Sequence, residues 1–490
     1  MADKMQGMYI HMHWGYNHPY AARTWHMDDW RYYLGGIKKL GYNLVQIWPM
    51  LDTMPLPLTP SDEAHLRKLQ HVIELAHREF DMAVWIVLCA NTMGNAAAAD
   101  FAFEERPYFS TERRVNPADA AARQELIAAR RVLLQPLREA DGFSIIDSDP
   151  GGYEGSPVSD FIQLLADHRQ LLDELRPGIL LNYWMWQGWR DPDKPPPAGE
   201  AYLAPWREAL HGLAELNPEP WGLLACYREH FQIIREMHLR DRTLYFPYGT
   251  IEDEPSFPLT NCDIPRIARA FSPQSAAAGD PANYPRGVMA NAQSHCLQLP
   301  GTFLFAQFAQ GQHLAQDDVA GFAERLIIGM GEHVAEAWCA LSSDDRDRVL
   351  EARHRMTAVH APIVRTGDLS GLLLDDPARF LDSLVIQLGW VSATLFANAT
   401  LDRDGDVLAA ARELYRATTA WADRVGFRDY YQGPFRRLLH PVLARLAERL
   451  AHGAHLAAAL AEFDALQRRH GPERHGAFAR LMAGFKAAVS

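Results

Sequence analysis

Cysteine is scarce in this chain: Cys89, Cys226, Cys262, Cys296 and Cys339 are scattered through 490 residues. No paired spacing connects them, which excludes a zinc ribbon or a disulfide framework and leaves reduced thiols in the cytoplasm as the expectation. Lys and Arg form no cluster and the net charge is -13, so the concentrated basic stripe of a nucleic-acid surface is missing. No stretch approaches the roughly 20 uninterrupted apolar residues that span a bilayer, and no apolar leader precedes Tyr9. A soluble protein with neither nucleic acid nor membrane as partner is therefore expected. A Gly-rich phosphate loop, a Gly-x-Ser-x-Gly elbow, internal repeats and low-complexity tracts are absent too. Asp402-Arg-Asp-Gly-Asp406 with Glu413 mimics a calcium loop, but Val407 stands where the sharp turn needs glycine.

What is present is ample core material, with 48% hydrophobic residues, in a chain too long for one ordinary domain. Short apolar runs alternate with amphipathic ones. Strands are predicted over residues 9–14, 43–48, 83–89, 143–147, 179–186, 243–248 and 286–291, and helices over 62–80, 117–140, 158–175, 201–216 and 221–239. Asp28 and Asp29 mark the start of a further helix with apolar Trp30, Tyr33, Leu34, Ile37 and Leu40, which Gly41 ends. An eighth strand has no clear place; residues 302–308 fit a strand or a helix equally. Such alternation predicts parallel strands with crossover helices, an α/β fold of the (β/α)8 TIM-like class, over residues 1–314. From 315 to 490 Ala, Leu and Arg dominate, and Leu439, Val442, Leu443, Leu446 and Leu450 recur at helical spacing. An all-helical C-terminal domain follows, expected to offer a homodimer surface.

The segment Phe143-Ser-Ile-Ile-Asp-Ser-Asp-Pro-Gly-Gly-Tyr-Glu154 carries the chemistry, because an apolar run ends in two acids and a chain reversal. Residues two apart on a strand share a face, so Asp147 and Asp149 are expected to point together and to repel, one keeping its proton longer. Glu154 follows in the loop. Glu252, with neighbours Asp253 and Glu254, comes after the strand ending near Tyr248 and is a candidate second acid. His11 and His13 are two apart at the end of the first strand, suited to a sugar hydroxyl or carboxylate, or to a metal. Trp14, Trp48, Trp184, Trp186 and Trp189 end or follow strands, where an indole can pack against the C–H face of a sugar. Asn291 and His295 offer amide and imidazole groups, and Arg106, Arg113 and Arg114 offer guanidinium forks for an acidic sugar.

With these acids and tryptophans in place, the first 310 or so residues resemble the (β/α)8 glycoside hydrolases around the β-N-acetylhexosaminidases and O-GlcNAcases, and barrel-type sialidases more loosely. The resemblance implies an acidic pair after the fourth strand, met by Asp147 and Asp149, and a tryptophan-lined sugar site, met by Trp184 and Trp186. It departs from the hexosaminidase pattern at Ser148, which separates the two acids. The implied activity is cleavage of a terminal N-acetylated or acidic sugar, with no metal and no cofactor, by carboxylate acid/base catalysis. Two alternatives stand beside it: a metal-dependent amidohydrolase or deacetylase using His11 and His13, and a non-catalytic carbohydrate-binding barrel. Against the first, the expected fourth strand offers Asp instead of a bridging Lys, and the fifth strand has no His.

Overall fold

The computed structural model describes all residues except 1–3, 14–17, 150–155, 190–198, 252–261, 273–285, 293, 344, 360–363, 404, 426–437 and 468–475. The chain divides into two compact units. One comprises Met1–His13, Gly41–Thr250 and Ala268–Asn291; the other comprises Trp14–Leu40, Ile251–Ile267 and Ala292–Ser490. The expected boundary at residues 314 and 315 falls inside the second unit.

The first unit is built on eight strands: β1 (Met5–His11), β2 (Leu44–Trp48), β3 (Ala83–Cys89), β4 (Gly142–Ile146), β5 (Leu180–Met185), β6 (Trp221–Ala225), β7 (Thr243–Tyr245) and β8 (Gly287–Ala292). They close a barrel in chain order, with β8 returning to β1, and the registered pairs are parallel throughout. The (β/α)8 class expected from the alternation is the fold observed.

One element assignment needs correction and one open assignment is settled. Residues 221–239, expected as one helix, split into strand β6 and a helix Arg228–Glu236. All five residues of β6 are buried, and an apolar run without polar alternation reads the same for a buried strand or a helix. Residues 302–308, left open between strand and helix, belong to the helix Leu299–Ala309, and the strand that had no place in the sequence is β6.

Alternate residues of each strand fill the lumen. Tyr9 of β1 lies edge-on to Trp184 of β5 at 5.3 Å between ring centres and to Phe246 at 5.9 Å, while Trp48 meets Trp184 at 5.9 Å. Ser144 of β4 donates to Gln46 of β2 across the same space at 2.8 Å. The lumen is therefore a packed core, closed by large rings, and open chemistry must lie beyond the strand ends.

Local signals set the connecting helices. In α1 (Pro60–Phe80) Thr59 caps the first turn, accepting from the Asp62 amide at 3.2 Å, and Asp62 answers by accepting from the Thr59 amide at 3.1 Å. In α2 (Ala120–Leu134) Asp119 accepts from Ala121 and Ala122. Then come α3 (Val158–Leu175), α4 (Glu200–Leu216) and α5 (Arg228–Glu236). A hairpin pairs Thr92–Gly94 with Glu112–Arg114 antiparallel, inserted between β3 and α2.

The second unit is mainly helical. It holds Met27–Lys39, whose Trp30, Tyr33, Leu34 and Ile37 are buried, and a helical series from Gln316–Leu326 to Ala477–Val489. A two-residue antiparallel ladder, Ile327–Ile328 with Arg365–Thr366, interrupts the all-helical expectation. Trp390 and Trp421 stack at 4.2 Å in its core. The helix Pro377–Asp402 is long and apolar enough to cross a bilayer by composition, but 72% of its apolar window is buried inside the protein, as in a core helix.

Candidate active site at the barrel rim

The turn after β4 holds the two aspartates in unlike settings. Gly142, Ser144 and Ile146 share the inward face, so Asp147 continues the outward face of Phe143 and Ile145. Its carboxylate is fully buried. Oδ2 accepts from the Tyr183 hydroxyl at 2.9 Å, the Trp186 amide at 3.2 Å and Trp206 Nε1 of α4 at 3.3 Å, and Oδ1 accepts from Ser148 Oγ at 2.8 Å. Burial pushes this carboxyl above its ordinary value, and the four donors pull in the opposite direction. With every contact made by a donor, Asp147 is placed to fix the turn between β4, β5 and α4.

Because β4 stops at Ile146, two-residue alternation does not carry on to Asp149. Asp149 has φ 100, a left-handed backbone that turns it away from the path of the strand. It is half-buried, and its carbonyl accepts from Cys89 Sγ at the end of β3, at 3.4 Å.

Cys89 connects that turn to a second group of residues. Its Sγ also lies 3.3 Å from the Tyr108 hydroxyl, and Tyr108 stacks obliquely on His13 at 3.8 Å. His13 in turn meets the edge of Trp48 at 4.2 Å and lies 2.7 Å from Nε2 of His11 through its Nδ1. Both histidines are buried within this aromatic surround. Below Cys89, Asp52 accepts from the Cys89 amide at 3.2 Å and lies 3.8 Å from Arg130 of α2. Arg130 also donates to the Cys89 carbonyl and to Nε2 of His168. Burial raises the Asp52 carboxyl despite Arg130.

The inserted hairpin contributes an acid that the sequence pattern did not single out. Burial pushes the Glu112 carboxyl up to about 7, with Arg114 lowering it and Asp52 raising it. Its Oε2 is buried without a hydrogen-bond partner. Burial raises the Tyr108 hydroxyl most, and the charges of Cys89, Asp52 and Glu112 raise it further, so Glu112 lies within electrostatic reach of Tyr108. Only the pairing of two chain segments 18 residues apart, Gly94 with Glu112, brings this acid there. In sequence the single hint is an acid beside Arg113 and Arg114.

The other expected residues distribute as follows. Trp184 is in the lumen, its Nε1 donating to Cys226 Sγ at 3.1 Å, and Trp48 points Nε1 at Asp52 at 3.4 Å; each is 2% exposed. Trp186 packs between Tyr227 and Tyr248, and its Nε1 is buried without a partner. Trp189 stacks on Phe161. Asn291, near the end of β8, lies two residues beyond Met289, whose side chain abuts Gly7, so it shares the inward face. Both ends of its buried amide lack partners. Arg114 is half-buried on the hairpin strand that holds Glu112, whereas Arg113 pairs with Glu125 in solvent. Arg106 is fully buried, forked onto Asp62 and donating to three carbonyls. His295 lies in the second unit beside Trp25 and Tyr33. Trp14, Glu154, Glu252, Asp253 and Glu254 lie outside the described residues. Among the described residues no three His, Cys, Asp or Glu side chains gather as a metal site.

No protein-family model matches this sequence, and no curated protein does. Among solved structures, the chain is similar to a mutant O-GlcNAc hydrolase from Thermobaculum terrenum, 13% identical, with TM-score 0.45 over 93% of this chain and 96% of that one. It is similar to CpGH84B, at 10% identity and TM-score 0.44 over 90% and 77% of the two chains. It is also similar to an endo-1,4-beta-D-mannanase from Thermotoga petrophila, at 10% identity and TM-score 0.32 over 63% and 100%. The resemblance to barrel glycoside hydrolases is a distant one, carried by the closed eight-stranded parallel barrel.

Proposed function

We propose that this chain is a glycoside hydrolase that cleaves a terminal N-acetylated or acidic sugar at the C-terminal rim of its barrel. One observation carries the reading: in the segments that follow β3 and β4, Glu112 holds a raised carboxyl with a buried, unengaged oxygen, and the half-buried Asp149 sits in the turn whose backbone carbonyl meets Cys89, itself in contact with Tyr108 beside a wall of rings. Glycosidic cleavage needs a proton on the leaving oxygen and an ionised carboxylate to stabilise or generate the attacking group. Glu112, protonated up to about pH 7, suits the first role, and Asp149 the second. Asp147 holds the turn that presents Asp149. Asn291, with its unpartnered amide, and Trp186, with its unpartnered indole N–H, supply polar groups for sugar hydroxyls or an acetamido group. Arg114 beside Glu112 favours a carboxylated substrate.

The test is hydrolysis of a panel of N-acetylhexosaminides, uronides and sialosides, each made with a poor alkyl and a good dinitrophenyl leaving group. Glu112→Gln should lower kcat/KM on the alkyl glycosides by about 10²–10⁴ while leaving the dinitrophenyl glycosides within about tenfold, since those need little protonation. Asp149→Asn should impair both. An equal loss by Glu112→Gln on both leaving groups would remove Glu112 as the proton donor. Failure of the wild-type protein to cleave any member would remove the glycosidase reading.

A further inference from the structure

Far from the rim chemistry, two of the five thiols meet in the second unit. Cys262 precedes the short helix Ile264–Ala270, and Cys339 lies near the end of the helix Gly331–Leu341; their sulfurs are 3.3 Å apart. Gln316 Nε2 donates to Cys339 Sγ at 2.9 Å. Arg348, held by Glu336 at 2.8 Å, adds positive charge nearby, while Glu336 opposes it. Cys339 is partly open to solvent and Cys262 is 8% exposed.

We propose that Cys262 and Cys339 form a redox-sensitive dithiol site that hydroperoxides or low-molecular-weight disulfides convert to an intrachain disulfide. The geometry assigns the roles. Cys339 is the more open, attacking sulfur, with two donors on it, and Cys262 is the sheltered resolving sulfur already in contact. With hydrogen peroxide, the Cys339 thiolate attacks one peroxide oxygen, giving a sulfenic acid and, after protonation, water. Cys262 then loses its proton and attacks the Cys339 sulfur, forming the S–S bond and releasing a second water. In total two thiols and one peroxide become one disulfide and two waters.

The thiol of Cys262 donating to Cys339 brings the latter down to about 7, helped by Gln316 and Arg348, which enlarges its thiolate share near neutrality. Cys89, Cys226 and Cys296 are enclosed and pushed up by burial, which leaves them unreactive.

Full-length protein is treated with hydrogen peroxide, digested without reduction and analysed by mass spectrometry, with dimedone present to trap sulfenic acid. Wild type should yield the Cys262–Cys339 cross-linked peptide and little dimedone adduct; Cys262→Ser should give no cross-link and a persistent adduct on Cys339. Alkylation of wild-type Cys339 by iodoacetamide should have its midpoint near pH 7. In Cys262→Ala the midpoint should move toward the ordinary ~8.5, slowing reaction at pH 7 roughly tenfold. A wild-type Cys339 that accumulates dimedone adduct as stably as Cys262→Ser, or that alkylates with a midpoint above 8, overturns the proposal. Both wild-type readings hold whether or not the variants fold.

Discussion

Three histidines are sealed inside the protein in neutral form, and acid should expose that. His168, His230 and His295 are each fully buried, and burial pushes each down to about 3. His168 is lowered further by the charge of Arg130, whose N–H its Nε2 accepts. An unfolded histidine takes up a proton near pH 6.5, whereas these stay neutral until about pH 3, so between those values the unfolded chain binds one extra proton per histidine. Stability is therefore unaffected above about pH 7 and declines as pH falls, by about 1.36 kcal/mol per unit per residue. From pH 7 to pH 5 that amounts to about 2 kcal/mol each and about 6 kcal/mol for the three, a large part of a typical 5–15 kcal/mol. His295→Phe tests one of them cleanly, because its neighbours are Trp25 and Tyr33, and the cost at pH 7 is one contact with the Tyr33 hydroxyl, about 1 kcal/mol. Thermal unfolding followed by calorimetry at pH 7 and pH 5 should show the wild-type Tm falling steeply. In His295→Phe the fall should be smaller by roughly 4–8 °C. An identical pH response in the two proteins would mean that His295 takes up its proton while folded, and the reasoning from burial would fail.

Two further substitutions probe the framework of the rim. Arg106→Met leaves the Asp62 carboxylate buried without its partner, and should cost about 3–5 kcal/mol, read as a Tm lower by roughly 10 °C. Adding Asp62→Asn should restore part of that loss, and a strictly additive double variant would show the pair to be uncoupled. Asp147→Asn replaces an acceptor surrounded by four donors with a group that must present its own N–H, and should destabilise by about 1–3 kcal/mol with a matching fall in Tm. An unchanged Tm would show that those donors have other acceptors.

Much of the barrel was legible because its signals are local. Residues 83–89 were predicted to the residue, and the caps at Thr59 and Asp119 lie where the helical periodicity begins. Strand β6 was not, since Trp221-Gly-Leu-Leu-Ala225 has no polar alternation and only Cys226 and Tyr227 separate it from α5. The aspartates after β4 were visible as an acid-bearing turn. Their orientations were not, because the positive φ at Asp149 and the reach of Tyr183 and Trp206 to Asp147 depend on residues 36 and 59 positions away. Glu112 was invisible as a buried acid for the same reason: its surroundings are made by a hairpin partner and by Asp52, both distant in sequence.

The aromatic filling of the barrel explains where reactive groups can be. Tyr9, Trp48, Trp184 and Phe246 occupy the inward positions near the strand ends, so a substrate has no room between the strands. Side chains that serve it must come from segments that rise past those rings: the turn of Ser148 and Asp149, the hairpin carrying Glu112 and Arg114, and the end of β8 at Asn291. The turn departs from strand geometry at the positive φ of Asp149, the hairpin carries the raised Glu112 carboxyl with an unsatisfied oxygen, and the end of β8 carries the unsatisfied Asn291 amide. A protein that filled its lumen with indoles yet left the Asn291 amide, the Trp186 N–H and one Glu112 oxygen unengaged bears an energetic cost at every one of them. A ligand with hydrogen-bonding groups would offset that cost at any of these positions whose missing partner it supplied.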